Sequence, residues 1–163
     1  MTLHPQLDEL IQRVLPVVQS FHSKGMFAPH AATINSAGEL SGHALTTDGT
    51  TQLSVSETIE HFENKFSNQA KFGEIRAAGI FYHSPGTDAT ANRVALPPAN
   101  TTDECRNIVA ILEHSLGNSI YLIVPYKGEA QAIEYAVGKL IEKPARIFLS
   151  VPSSIKKPWW RLW

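Results

Sequence analysis

The sequence predicts an α+β fold: an antiparallel sheet of about five strands with helices packed on it, in the order α-β-β-α-β-β-β-α, followed by a C-terminal tail. Three observations predict it. Several segments repeat apolar residues at helical spacing, three later segments are nearly continuous apolar runs of strand length, and short turn sequences join neighbouring strands. The chain has 163 residues, 43% hydrophobic and 18% charged, which suits one domain able to bury a proper core. That domain is placed at residues 1–155, with 156–163 as the tail.

The first helix rests on Leu3, Leu7, Leu10, Val14, Val17 and Phe21, widened by Ile11 and Val18. It covers Pro5 to about Lys24, and Gly25 stops it. Pro16 removes one backbone donor and crowds the carbonyl of Gln12, so a kink or break is expected there. Phe27 to Ile34 and Glu39 to Leu45 then flank Asn35-Ser36-Ala37-Gly38 as a hairpin. Ser54-Val55-Ser56-Glu57 is a capping box that starts the second helix. Val55, Ile59, Phe62, Phe66 and Ala70 share one face of that helix, and Gly73 ends it.

Ile75 to His83 reads as a buried strand in which Gly79 marks a bulge or a close approach. Asn107 to His114 and Ser119 to Tyr126 form a hairpin across Leu116-Gly117-Asn118. All three strands are too continuously apolar to be open to water, so helices must cover them. Between them, 84–104 carries Pro85, Gly86, Pro97 and Pro98 without periodicity, and a loop of that length is either functional or disordered. Ala130, Ile133, Val137, Leu140 and Ile141 repeat at helical spacing before Pro144 and predict a last helix, with Arg146 to Val151 extended.

Charge and cysteine usage narrow the function. Fourteen basic and fifteen acidic side chains leave a net charge of -1, so no global field draws nucleic acid or an anionic membrane. The lone Cys105 allows neither an internal disulfide nor a thiolate cage, and the start of the chain lacks a secretory pattern. A cytoplasmic protein is expected. The Asn100-Thr101-Thr102 sequon is then a chance match.

No motif supplies chemistry. Phosphate-binding glycine loops, the G-x-S-x-G elbow, H-E-x-x-H and the EF-hand loop are all missing from the sequence, so no cofactor or metal is expected and no catalytic residue is assigned. Seven histidines, His4, His22, His30, His43, His61, His83 and His114, fall on different elements without shared spacing. They read as surface or hydrogen-bonded core residues rather than as one constellation. Cys105, beside Arg106, reads as a packing residue unless a histidine lies next to it.

The end of the chain, Lys156-Lys157-Pro158-Trp159-Trp160-Arg161-Leu162-Trp163, gathers all three tryptophans among three positive charges. It suits docking back on the domain, an aromatic anchor in a partner, or a membrane interface.

Phe27-Ala28-Pro29-His30-Ala31-Ala32, Gly73-Glu74-Ile75-Arg76-Ala77-Ala78-Gly79-Ile80 and Val124-Pro125-Tyr126-Lys127 together resemble small bacterial α+β proteins of the toxin-immunity type. The similarity spans about Leu10 to Lys127. The element order is also similar to roadblock and profilin-like folds, which serve mainly as binding and dimerisation scaffolds. The resemblance implies a non-enzymatic protein that neutralises one partner, a toxin, by binding it. Tyr126, Trp159, Trp160, Arg161 and Trp163 are the expected partner-binding residues, and a homodimer is compatible with such a fold. Two alternatives stand beside it. One is a small enzyme whose site assembles His83, His114 and Cys105 around the 84–104 loop; the other is peripheral membrane attachment through the tail.

Overall fold

The computed structural model describes residues 2–26, 28–44, 53–84, 106–128 and 132–149. They form two helices and one antiparallel sheet. Helix α1 (Pro5–Ser23) is followed by strands β1 (His30–Asn35) and β2 (Leu40–His43), helix α2 (Val55–Lys71), and strands β3 (Ile75–Ser84), β4 (Arg106–His114) and β5 (Ser119–Lys127). Two short strands, β6 (Glu134–Tyr135) and β7 (Lys139–Glu142), close the order. The α+β class and the antiparallel sheet are as the sequence predicts.

Local chemistry sets the helix ends. His4 caps α1, its Nδ1 accepting from the Gln6 amide, and Gly25 beyond the C-terminus takes a φ of 79° that other residues rarely adopt. Ser54 caps α2 by accepting from the Glu57 amide at 3.1 Å, as the capping box requires. Pro16 does not divide α1, which runs unbroken for 19 residues. Pro16 lies on the exposed side of the helix. The carbonyl of Gln12, one turn back on that side, therefore loses its amide partner where water can replace it.

The strand order is β2-β1-β3-β4-β5-β6, with β7 also paired to β5. Alternation along the strands divides the core in two. Ala32, Ile34, Phe81, Ala110, Leu112 and Leu122 face α1 and pack on Leu7, Leu10 and Val18. Ala78, Ile80, Val109, Ile111 and Tyr121 face the other way and pack on Ile59, Phe62 and Phe66 of α2 and on Ile147. Cover on both sides explains why β3 and β4 are apolar without a break. Gly79 marks a close approach rather than a bulge. A Cβ there would sit 3.0 Å from Phe81 Cε2 and 3.1 Å from Leu112 Cδ2, while the register shift lies at Ile34/Asn35.

The helix predicted over 130–141 is not formed: its described residues supply β6 and β7, which bring the sheet to seven strands instead of about five. The outer edge of β5 explains the outcome. Tyr126 and Lys127 pair with β6, and Ile120 to Ile123 pair with β7, so backbone groups that a helix would leave open are satisfied. Gly138 permits the approach, because a Cβ at that position would lie 2.7 Å from Leu122 Cδ1. The described residues after β7, 143–149, form no strand either. Arg146, Ile147 and Phe148 instead direct their amides at one buried carboxylate, Glu113.

Candidate functional site

Among the described residues, candidate sites lie where strands or helices end. The first is the N-terminal end of α1. The Leu116 amide donates to His114 Nδ1 at 3.0 Å, which leaves the ring hydrogen on Nε2 to donate to Gln6 Oε1 at 2.7 Å. His4 stacks on the His114 ring with centroids 3.5 Å apart. His114 is only 2% exposed, and burial first, then its neighbours His4 and Arg76, lower its pKa to about 4. It is a neutral linker between α1 and the β4–β5 turn.

The second place is the opposite end of α1, where β3 ends, β4 begins and β5 meets β6. Tyr135 OH lies 3.0 Å from His22 Nδ1, and the Tyr126 hydroxyl bonds the His83 ring. The edge of the His22 ring meets Tyr126 at 4.3 Å, and the His83 ring lies 5.1 Å away. Burial first, and then the Arg106 charge, lower the His22 pKa, so this imidazole is neutral near pH 7. Burial also raises the Tyr135 pKa, so its phenol keeps its proton. Among the described residues no group of three or more His, Cys, Asp or Glu could hold a metal ion.

The third place is the β5–β6–β7 edge. A pocket of about 190 Å³ is lined by Pro125, Tyr126, Lys127, Glu134, Tyr135 and Ala136, and the exposed pair Lys127–Glu134 at 3.5 Å lies along it. Val137 follows directly and is 91% exposed; Leu140 on β7 is 39% exposed. β7 has β5 on one side and no other described strand on the other. The Lys143 amide bonds the Ser119 carbonyl in the β5–β7 ladder, so alternation turns the backbone groups of Leu140 and Glu142 away from β5. Among the described residues this is an open strand edge beside exposed apolar side chains.

The residues expected from sequence fall unevenly across these places. Tyr126 belongs to the second cluster and is 3% exposed, its ring packed on the α1 face against His22 and Tyr135 rather than projecting from the surface, while it also lines the pocket at the β5–β6 edge. Trp159, Trp160, Arg161, Trp163 and Cys105 lie outside the described residues, as does 85–104 of the long loop. His83 and His114 both point toward α1, yet Ala77, not His83, faces His114 across the β3–β4 ladder. Six residues of strand, about 20 Å, separate them, so they do not form one centre. The histidines do pair, however, as His4 with His114 and as His22 with His83. Sequence reasoning missed Tyr135 because it assigned that segment to a helix, and His22 because its partners lie more than sixty residues away.

Comparison with family models, with characterised proteins and with solved structures returns no match for this chain.

Proposed function

We propose that this chain is a non-enzymatic protein-binding protein that engages its partner along the β6–β7 edge, and that it is of the immunity type, binding and neutralising a toxin. The observation that carries the binding reading is the edge of β7, which no other described strand pairs, with Val137 and Leu140 exposed and a pocket beside them. An unpaired strand edge is a template for an extended segment of another chain, whose main-chain bonds give affinity while a pocket and exposed apolar side chains select the sequence. The immunity reading rests on the sequence resemblance alone. The way the ionisable side chains are used agrees with binding. His114, His22, Glu113 and Lys143 hold elements together and do not converge on an open cleft. Of the enzyme alternative's three residues, His83 and His114 lie apart along the sheet, and Cys105 is outside the described residues.

The test is binding to the product of a toxin-like reading frame adjacent to the gene, followed by calorimetry with Val137→Asp and Leu140→Lys. Both positions are exposed, so folding should be unchanged by circular dichroism while affinity falls about tenfold or more, as for a residue central to an interface. Unaltered affinity in both variants would remove the edge from the interface. Failure to bind or neutralise the neighbouring product would remove the immunity reading.

A further inference from the structure

Two imidazoles stack where the first turn of α1 meets the β4–β5 turn, and each uses its Nδ1 as an acceptor. His4 Nδ1 accepts from the Gln6 amide at 3.1 Å, and His114 Nδ1 accepts from the Leu116 amide at 3.0 Å. His114 completes its bonding by donating from Nε2 to Gln6 Oε1 at 2.7 Å, while the His4 amide donates to Asn118 Oδ1 at 3.0 Å. The ring centroids are 3.5 Å apart and the planes differ by 22°. Each ring is thus the neutral tautomer with its hydrogen on Nε2. A second proton on either has only Nδ1 to enter, where it meets an amide hydrogen.

The surroundings of His114 work against that proton. From α1 the ring meets His4 and Gln6, and Arg76 approaches from β3; the neighbours that act on its charge, His4 and Arg76, both oppose it. Glu113, the preceding residue of β4, points to the other face of the sheet, where Lys143 and the amides of Arg146, Ile147 and Phe148 take its oxygens. Asp8 and Glu9 of α1 bond Gln12 and Arg13 one turn on. The bond to Gln6 survives protonation, but one neutral acceptor does not replace the hydration that a buried cation forgoes. Water reaches the ring only if its cover moves. β3, β4 and β5 are interior strands, whereas His4 and Gln6 belong to the end of a helix, and helix ends fray, so the helix end is the part that yields.

We propose that residues 2–8 form an acid-opened latch: a proton taken up by the His114 ring lifts the first turn of α1, with the His4 ring and the buried Leu7, off the β4–β5 turn, while Leu10 and Val18 keep the rest of the helix on the sheet. With the latch open the ring titrates at its ordinary 6.5, against about 4 when it is closed. The opening equilibrium therefore grows about tenfold for each pH unit between those values.

Hydrogen exchange followed by NMR between pH 7.5 and 4, corrected for the intrinsic pH dependence of exchange, tests this on the full chain. The amides of Gln6, Asp8 and Leu116 should lose on the order of a hundredfold in protection, or all that they have, while those of Val18 in α1 and of Phe62 and Phe66 in α2 lose much less. In His114→Asn, which keeps an acceptor for the Leu116 amide and takes up no proton, the selective loss should disappear. Equal loss along both helices, no loss at the first turn, or a selective loss that persists in the variant would overturn the proposal. Should the variant not fold, titration of the His114 ring in the native chain decides. A ring that titrates near 6.5 while the first-turn amides keep their protection would overturn the proposal, and one that titrates lower, in step with their loss of protection, would support it.

Discussion

At the scale of single residues, the strongest constraint is Glu113. Its carboxylate is fully buried and accepts from Lys143 Nζ at 2.6 Å and from the amides of Arg146, Ile147 and Phe148 between 2.8 and 3.1 Å. Lys143 Nζ also reaches Ser119 Oγ and the Pro144 carbonyl, and it lies over the Tyr121 ring. Every polar atom of the pair is thereby engaged, which is the condition under which a buried ion pair is tolerated. Removing one partner leaves the other charge stranded. Glu113→Gln should cost about 3–5 kcal/mol, read as a lower urea midpoint at unchanged slope. Glu113→Leu/Lys143→Met should be less destabilised than either single change, because no charge is then left buried. A cost below about 1 kcal/mol for the single variant would mean that the carboxylate does not hold the 143–149 segment. Nothing in the sequence marks Glu113 as special, since it sits in a run of apolar strand residues and its partners lie about thirty positions away.

At the scale of elements, α1 shows what periodicity reads well and what it misjudges. The stripe of Leu7, Leu10 and Val18 and the stop at Gly25 are as expected, and of the kink or break expected at Pro16 the helix shows no break. A proline inside an exposed helix face still forfeits a hydrogen bond and costs about 3 kcal/mol relative to alanine in an isolated helix. Packing of α1 on the sheet offsets that cost. Pro16→Ala should therefore raise stability, by about 1–3 kcal/mol, and the thermal midpoint with it. An unchanged or lower midpoint would show that the helix is already adapted to the ring. The segment around Val137 misleads in the opposite direction. Five apolar residues at helical spacing are too few to decide between a helix and two short strands. The outer edge of β5 decides, since Ile120 to Ile123 and Tyr126 to Lys127 gain partners only if this segment is extended.

At the scale of the whole molecule, acid should act on this protein well before its carboxylates are fully protonated. The folded pKa of His114 is lowered to about 4 and that of His22 is lowered as well, both from 6.5. Between those values the unfolded chain binds more protons than the folded one, so stability is complete above about pH 6.5 and falls as the pH drops toward 4. Lowered values at His30 and His43 act in the same direction, while the raised value at Glu63 acts against them. The net expectation is a urea midpoint that falls steadily from pH 7 to pH 5, and falls less in His114→Gln. A midpoint that is flat over this range would contradict the neutral, buried state of these rings.

The α+β class, the helix starts and stops, and the three central strands are legible in the sequence because propensity, capping and the period of burial are local properties. Tertiary structure alone decided that Tyr126 is core, that His83 and His114 lie far apart while His22 and Tyr135 meet, that Glu113 gathers the 143–149 segment, and that β7 is an edge. Each of these depends on which strand faces which. That is settled by burying two apolar faces and pairing every backbone group at once, a condition on the whole chain that no stretch of its residues carries alone.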